Sequence, residues 1–233
     1  MTGLTAIMRK EVKNLVSSGW GFFLINALIA VVWSFMLLFQ HFTALGGVTG
    51  AWLVFFAVIV AANFSGTVFI SERVNGTLEV LIVSGVSRDA VLFGKVIFAV
   101  GATIAMGAVC LAISAVLEFL IGVLGGGAGD AVDLLRDFAV WAYHISQLYV
   151  GAAVMNVSAS AYLSVRMSNP RFLHIANLFM TGALMTLYEL ITFTSTEQYR
   201  IGLVLVFLAL GGVFLALARR EFAGERITRP VIF

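Results

Sequence analysis

Ser71-Glu-Arg-Val-Asn-Gly-Thr-Leu-Glu-Val-Leu-Ile-Val-Ser-Gly-Val-Ser-Arg-Asp-Ala-Val-Leu-Phe-Gly-Lys95 is a polar island, and its neighbours on either side decide the fold. Residues 51–70 before it contain no charged side chain, and none occurs from 96 to 117 after it. Each run is close to the ~20 residues that a helix rising ~1.5 Å per residue needs to cross ~30 Å of hydrocarbon. A charged stretch pinned between two such runs is expected in water beside a membrane.

Composition agrees with that reading. The 233 residues are 61% hydrophobic and only 11% charged, with a mean hydropathy of +1.04. A soluble domain carries about a quarter of its residues as charges. Bilayer solvent accounts for the deficit, since a charge in hydrocarbon is costly while Leu or Phe is favoured there. The net charge of +2 offers no case for nucleic acid. With Cys110 as the one cysteine, no internal disulfide can form. Its apolar surroundings in sequence make it a small packing residue.

Six segments have the length and apolarity to span: 20–39, 51–70, 96–117, 138–165, 172–188 and 201–218. The first exceeds the ~7–15 residues of a signal-peptide core and reads as a permanent anchor. The fourth is long enough to tilt, and the fifth is short enough that a re-entrant outer end near 189–197 is compatible with it. Of the 14 basic residues, twelve then fall on one side, with only Arg136 and Arg200 opposite. The positive-inside rule places that side, and both termini, in the cytoplasm. Leu4, Ile7, Met8, Val12, Leu15 and Val16 recur at helical spacing beside Arg9, Lys10 and Lys13, which predicts an amphipathic helix in the cytosolic interface. A juxtamembrane basic tail would show the same charges. The glycine-rich segment 122–129 is expected to be a flexible external connection, followed by a short helix from Asp130.

Within the island, Asn75-Gly76 is a turn signal and Thr77 a helix cap, with Leu78, Leu81 and Ile82 on one helical side. Ser84-Gly85 ends that short helix. Ser87 is a second cap, and Asp89 sits favourably in the first turn that follows. The expected product is a short amphipathic helix held between two spans, so that a force on it would move both.

The pattern Glu72-Arg73-x-x-Gly76-Thr77-Leu78-Glu79, with the later Ser87 and Gly94-Lys95, resembles the membrane subunit of ATP-binding-cassette exporters. This type-2 permease family includes polysaccharide, drug and haem exporters. The resemblance implies an all-helical permease with six membrane helices, cytoplasmic termini, an interfacial N-terminal helix (here carrying Arg9-Lys10-Glu11) and a single domain over 1–233. It also implies that segment 71–95 is the cytosolic coupling loop docking on a separate ATPase chain. On that basis Glu72, Arg73, Gly76, Thr77, Leu78, Glu79 and Ser87 are the coupling residues, Glu79 and its neighbours being the contacts. Gly85 departs from the family, where many members have proline before the Val-Ser/Thr pair, and implies a looser turn. An ordinary cytosolic loop would carry the same acids and bases merely as solvated groups.

The chain carries no Gly-x-x-x-x-Gly-Lys-Ser/Thr phosphate loop, so no cofactor is expected on it, and ATP with its magnesium would belong to the partner ATPase. His41, His144 and His174 lie on separate segments without metal-site spacing. No nucleophile elbow or His-Glu-x-x-His helix occurs, so no catalytic residue is assigned.

Asn26, Asn63, His144, Gln147, Asn156 and Asn177 fall inside expected spans, with Glu118 and Glu189 near outer ends. Asn63, His144, Asn156 and Glu189 are candidates for a substrate path. Interhelical hydrogen bonding is the competing account and the favoured one for the amides, while the two glutamates could simply reach external water. Gly101, Ala105, Ala108, Ala112 and Ala115 form a small-residue stripe on which another helix could close, from this chain or a second copy.

Together these readings describe a multi-pass exporter subunit of the cytoplasmic (inner) membrane, paired with a second permease chain, an ATPase and the bilayer. Two alternatives remain in view: an ATP-independent secondary transporter or channel, and a non-transport membrane scaffold. A haem-exporter-like subunit fits the length within the favoured class.

Overall fold

The computed structural model describes residues 3–17, 19–43, 51–70, 72, 85–125, 128–166, 172, 175–183, 186 and 198–223. Helix α1 is Gly3–Ser17, α2 is Trp20–Thr43 and α3 is Ala51–Ser65, which continues into a π-helical turn, Gly66–Ile70. Three longer helices follow: α4, Arg88–Gly125; α5, Ala128–Arg166; and α6, Gln198–Ala223. Residues 175–183 are also helical, within the expected fifth span. Among the described residues there is no strand.

Three of these helices are long and apolar enough to cross a membrane, and shorter apolar helices accompany them at Leu24–Phe39 and Leu53–Phe69. Their outward surface would be untenable in water. Trp20, Leu24, Ile25, Leu28, Phe35 and Phe39 form an exposed apolar face on α2, and Leu205, Val206, Val213 and Leu217 do so on α6. Burial sorts the helices by position. Within their membrane-length cores, 78% of α5 is buried against 28% of α4 and 22% of α6. So α5 is central, with α3, α4 and α6 packed around it. That position explains why α5 tolerates Asn156, Ser158, Ser160 and Ser164, all buried: they face protein rather than lipid.

Aromatic rings bridge three of the helices. Trp33 of α2 stacks on Phe56 of α3 with centroids 5.5 Å apart, and Phe56 on Tyr149 of α5 at 6.3 Å. Helix α2 is tied to α4 by backbone carbonyls as well. Ser34 Oγ donates to Cys110 O at 3.0 Å, and Ser114 Oγ donates to Ser34 O at 3.2 Å. Cys110 is buried in this contact, as a small packing residue should be.

One expectation changes and two become more specific. First, the glycine-rich segment is mostly helical: Gly122 and Gly125 belong to α4 and Gly129 to α5, which also absorbs Asp130 and its neighbours. Close approach is the reason, since a Cβ on Gly122 would lie 2.5 Å from Ala131 Cα. Second, the small-residue stripe faces outward, so no described helix of this chain closes on it and a second copy is the partner left open. Gly101, Ala105, Ala108 and Ala112 are exposed, while the inward face of α4 carries Thr103, Gly107, Cys110, Ser114 and Glu118. At Gly107 a Cβ would overlap the Tyr149 ring, whose hydroxyl donates to Thr103 O at 2.6 Å. Third, Val12 and Val16 are exposed, and α1 packs on α4 through Ile7 with Leu15 partly buried.

Candidate functional site

The start of α4 is set by local chemistry. Gly85 takes φ +83°, a conformation that glycine adopts freely and proline, locked near −65°, cannot. A glycine rather than a proline at this position therefore has a backbone cause. Two residues on, Ser87 Oγ accepts from Ala90 N–H at 3.3 Å, and Ser87 O accepts from Val91 N–H at 3.1 Å. Ser87 thus acts as the cap its sequence position suggests. Asp89 in the first turn takes a bidentate contact from Arg219 of α6, with Nε–Oδ1 at 3.0 Å and Nη2–Oδ2 at 2.8 Å. Hydrogen bonding and charge from Arg219 hold the Asp89 carboxyl below its usual range, and Asp89 in turn raises Arg219.

Two turns further into α4, Lys95 is completely buried, and three oxygens surround its ammonium. Nζ lies 2.7 Å from Glu11 Oε1 of α1 and 2.6 Å from Glu72 Oε2, just beyond the π turn. It also donates to Val68 O, within that turn, at 2.8 Å. Two of its N–H donors thus have hydrogen-bond acceptors, Glu11 Oε1 and Val68 O, while Glu72 Oε2 balances the charge as an ion pair. The Phe69 ring lies 5.9 Å from Nζ, centroid to nitrogen, adding a cation–π contact. Glu72 uses its other oxygen for Lys10 Nζ at 2.5 Å. Lys10, Glu72, Lys95 and Glu11 therefore alternate in sign and sum to zero charge.

This lock joins α1, the π-helical end of the α3 segment and the base of α4. Gly94 lets α1 approach closely, because a Cβ there would stand 2.9 Å from Ile7 Cγ2. The π turn matters for the same reason. Widened turns release carbonyls from the regular i→i−4 ladder, and buried ones must find other donors. Val68 O finds Lys95.

Of the coupling residues expected from sequence, Glu72 lies in the lock and Ser87 caps α4; Arg73, Gly76, Thr77, Leu78 and Glu79 fall outside the described residues. Lys95, Lys10 and Glu11 were not assigned a role in the site from sequence. A signal existed for Glu11, which sits one turn from Ile7 and one from Leu15 and therefore on the face of α1 that packs inward. The same spacing holds for Lys95, one turn from Val91 and one from Ala99, and the Gly94-Lys95 pair belongs to the quoted pattern.

The expected substrate-path residues are not brought together. Asn63 and His144 are half-buried on α3 and α5, and Glu189 lies outside the described residues. Asn156 is fully buried and bonded: Nδ2 donates to Ala152 O at 2.8 Å, and Oδ1 accepts from Thr181 at 3.0 Å. Asn177 Nδ2 donates to Ser160 Oγ at 2.6 Å on the same seam. These amides join α5 to the 175–183 helix, which is the structural role. Glu118 does not reach water as the sequence reading allowed, for it is 0% exposed on the inward face of α4. Among the described residues no cluster of three or more histidine, cysteine, aspartate or glutamate side chains is placed to hold a metal ion.

Compared with known proteins, the chain matches no protein family, no curated protein and no solved structure.

Proposed function

We propose that the chain is the membrane-spanning subunit of an ATP-binding-cassette exporter. It has six spans with both termini in the cytoplasm, acts beside a second permease chain in the cytoplasmic membrane, and is driven by ATP hydrolysed on a separate subunit. The observation that carries this reading is the Lys10–Glu72–Lys95–Glu11 lock. It sits at the two ends of segment 71–95, where the resemblance to exporter permeases is concentrated. A push on that segment would be delivered to α1, α3 and α4 as one unit rather than absorbed in a slack loop. A coupling element needs that rigidity, and an unspecialised cytosolic loop does not.

The test is purification of the tagged chain from its native membrane in mild detergent, with identification of what accompanies it. A soluble ATPase in near-equal amount is expected, and Glu79→Arg is expected to abolish that association together with ATP-dependent transport. An intact association in Glu79→Arg would remove the docking assignment.

One observation favours a second reading, an ATP-independent transporter. Glu118 is an ionisable group buried on a membrane-length helix, a feature common in ion-coupled pathways. Solute movement by the purified chain in ATP-free vesicles, abolished by Glu118→Gln, would establish it.

A further inference from the structure

A second charged cluster, separate from the lock, closes the ends of α5 and α6. A cavity of about 380 Å³ opens there, lined by Arg166, Leu217, Arg220 and Glu221. Arg166 is half-exposed, with Nη2 2.7 Å from Glu221 Oε1 and its guanidinium 5.0 Å from the centre of the Tyr162 ring. Arg220 is exposed and, among the described residues, makes no ion pair or hydrogen bond. Among the described lining residues, two guanidiniums stand against one carboxylate, an excess of one positive charge.

Below the guanidiniums the surface turns apolar. Leu217 and, one turn earlier, Val213 are exposed along α6, while the rings of Tyr162 and Phe214 lie 6.1 Å apart across the α5–α6 contact. A charged head above an apolar strip, at the ends of two membrane-length helices, matches the shape and polarity of a lipid. Guanidinium forks suit a phosphate, which two such groups can grip without being desolvated fully. Basic clefts between membrane helices bind anionic headgroups on the same principle.

We propose that this cavity binds the phosphate of an anionic phospholipid headgroup, with the acyl chain running along Leu217 and Val213. The proposal rests on the membrane character of α5 and α6 and is independent of the ATPase reading. An inorganic phosphate would meet the same guanidiniums but gain nothing from the apolar strip.

The experiment takes the full chain in mild detergent, stripped of lipid. It measures retention of phosphatidylglycerol and of phosphatidylcholine with matched acyl chains by native mass spectrometry, alongside thermal melting. Wild type is expected to favour phosphatidylglycerol. Arg220→Gln should lower that retention about five-fold with melting unchanged, because Arg220 has no partner to lose among the described residues. Arg166→Gln combined with Glu221→Gln, which preserves the net charge of the cavity, should also lower it by removing one fork. Arg9→Gln on α1 removes the same charge elsewhere and should not. Equal retention of the two lipids, or equal loss in Arg220→Gln and Arg9→Gln, would overturn the site. Displacement of phosphatidylglycerol by millimolar inorganic phosphate would overturn its assignment to a lipid.

Discussion

Burying an ammonium is costly unless it is hydrogen-bonded and its charge is balanced nearby, and Lys95 donates to Glu11 and Val68 O while Glu11 and Glu72 balance its charge. Lys95→Met would leave two carboxylates facing each other in a buried site. It should cost about 3–5 kcal/mol, read as a lowered melting temperature in detergent. Lys95→Met combined with Glu11→Gln should lose less than the sum of the single changes, because the second removes a charge that the first left unbalanced. A second residue-scale contrast lies on α4. Gly107→Ala drives a methyl group into the Tyr149 ring and should cost about 1–3 kcal/mol, whereas Gly101 has open space around its Cα and Gly101→Ala should be neutral. If both changes are silent in a melting assay, the α4–α5 crossing is misassigned. The stripe containing Gly101 is legible as a run of small residues, but within this chain the close approach falls on the other face, at Gly107. Spacing marks a face; only the neighbouring helix says whether it is used.

At the scale of elements, helix starts were the most legible features. The Ser87 cap is read from residue type alone, because an oxygen at that position meets a free N–H whatever the tertiary context. Helix lengths were less legible. Hydropathy bounded the third and fourth spans at 96–117 and 138–165, yet α4 and α5 run to 38 and 39 residues, about 57 Å each. Charged ends such as Arg88 to Lys95 and Asp130 to Asp137 stay helical outside the apolar core, which hydropathy cannot report. The turn before α4 makes a direct prediction. Gly85→Ala should destabilise by about 1–2 kcal/mol through its left-handed backbone. Gly85→Pro, for which the conformation is unattainable, should lower expression or melting temperature further. Equal stability of all three proteins would show that this φ is not required.

For the whole molecule, the basic-residue asymmetry and the central position of α5 bear on orientation. The proposed topology places the connection between α4 and α5 outside the cell, so a reporter fused at residue 127 should be active only in its external form. A cytosolic signal would sink the six-span arrangement, while leaving the three membrane-length helices untouched. The sequence by itself determined that the chain is helical, apolar enough for a bilayer and punctuated by a polar segment, because those properties sum over neighbouring residues. Only the tertiary structure decided that Lys10, Glu11, Glu72 and Lys95 share one buried site, since 84 residues separate Glu11 from Lys95. It likewise decided that Asn156 is satisfied by Thr181 and that Glu118 is shut away from solvent. Burial and pairing depend on which helices meet and at what rotation, and in a chain whose helices are nearly all apolar no local pattern dictates that choice.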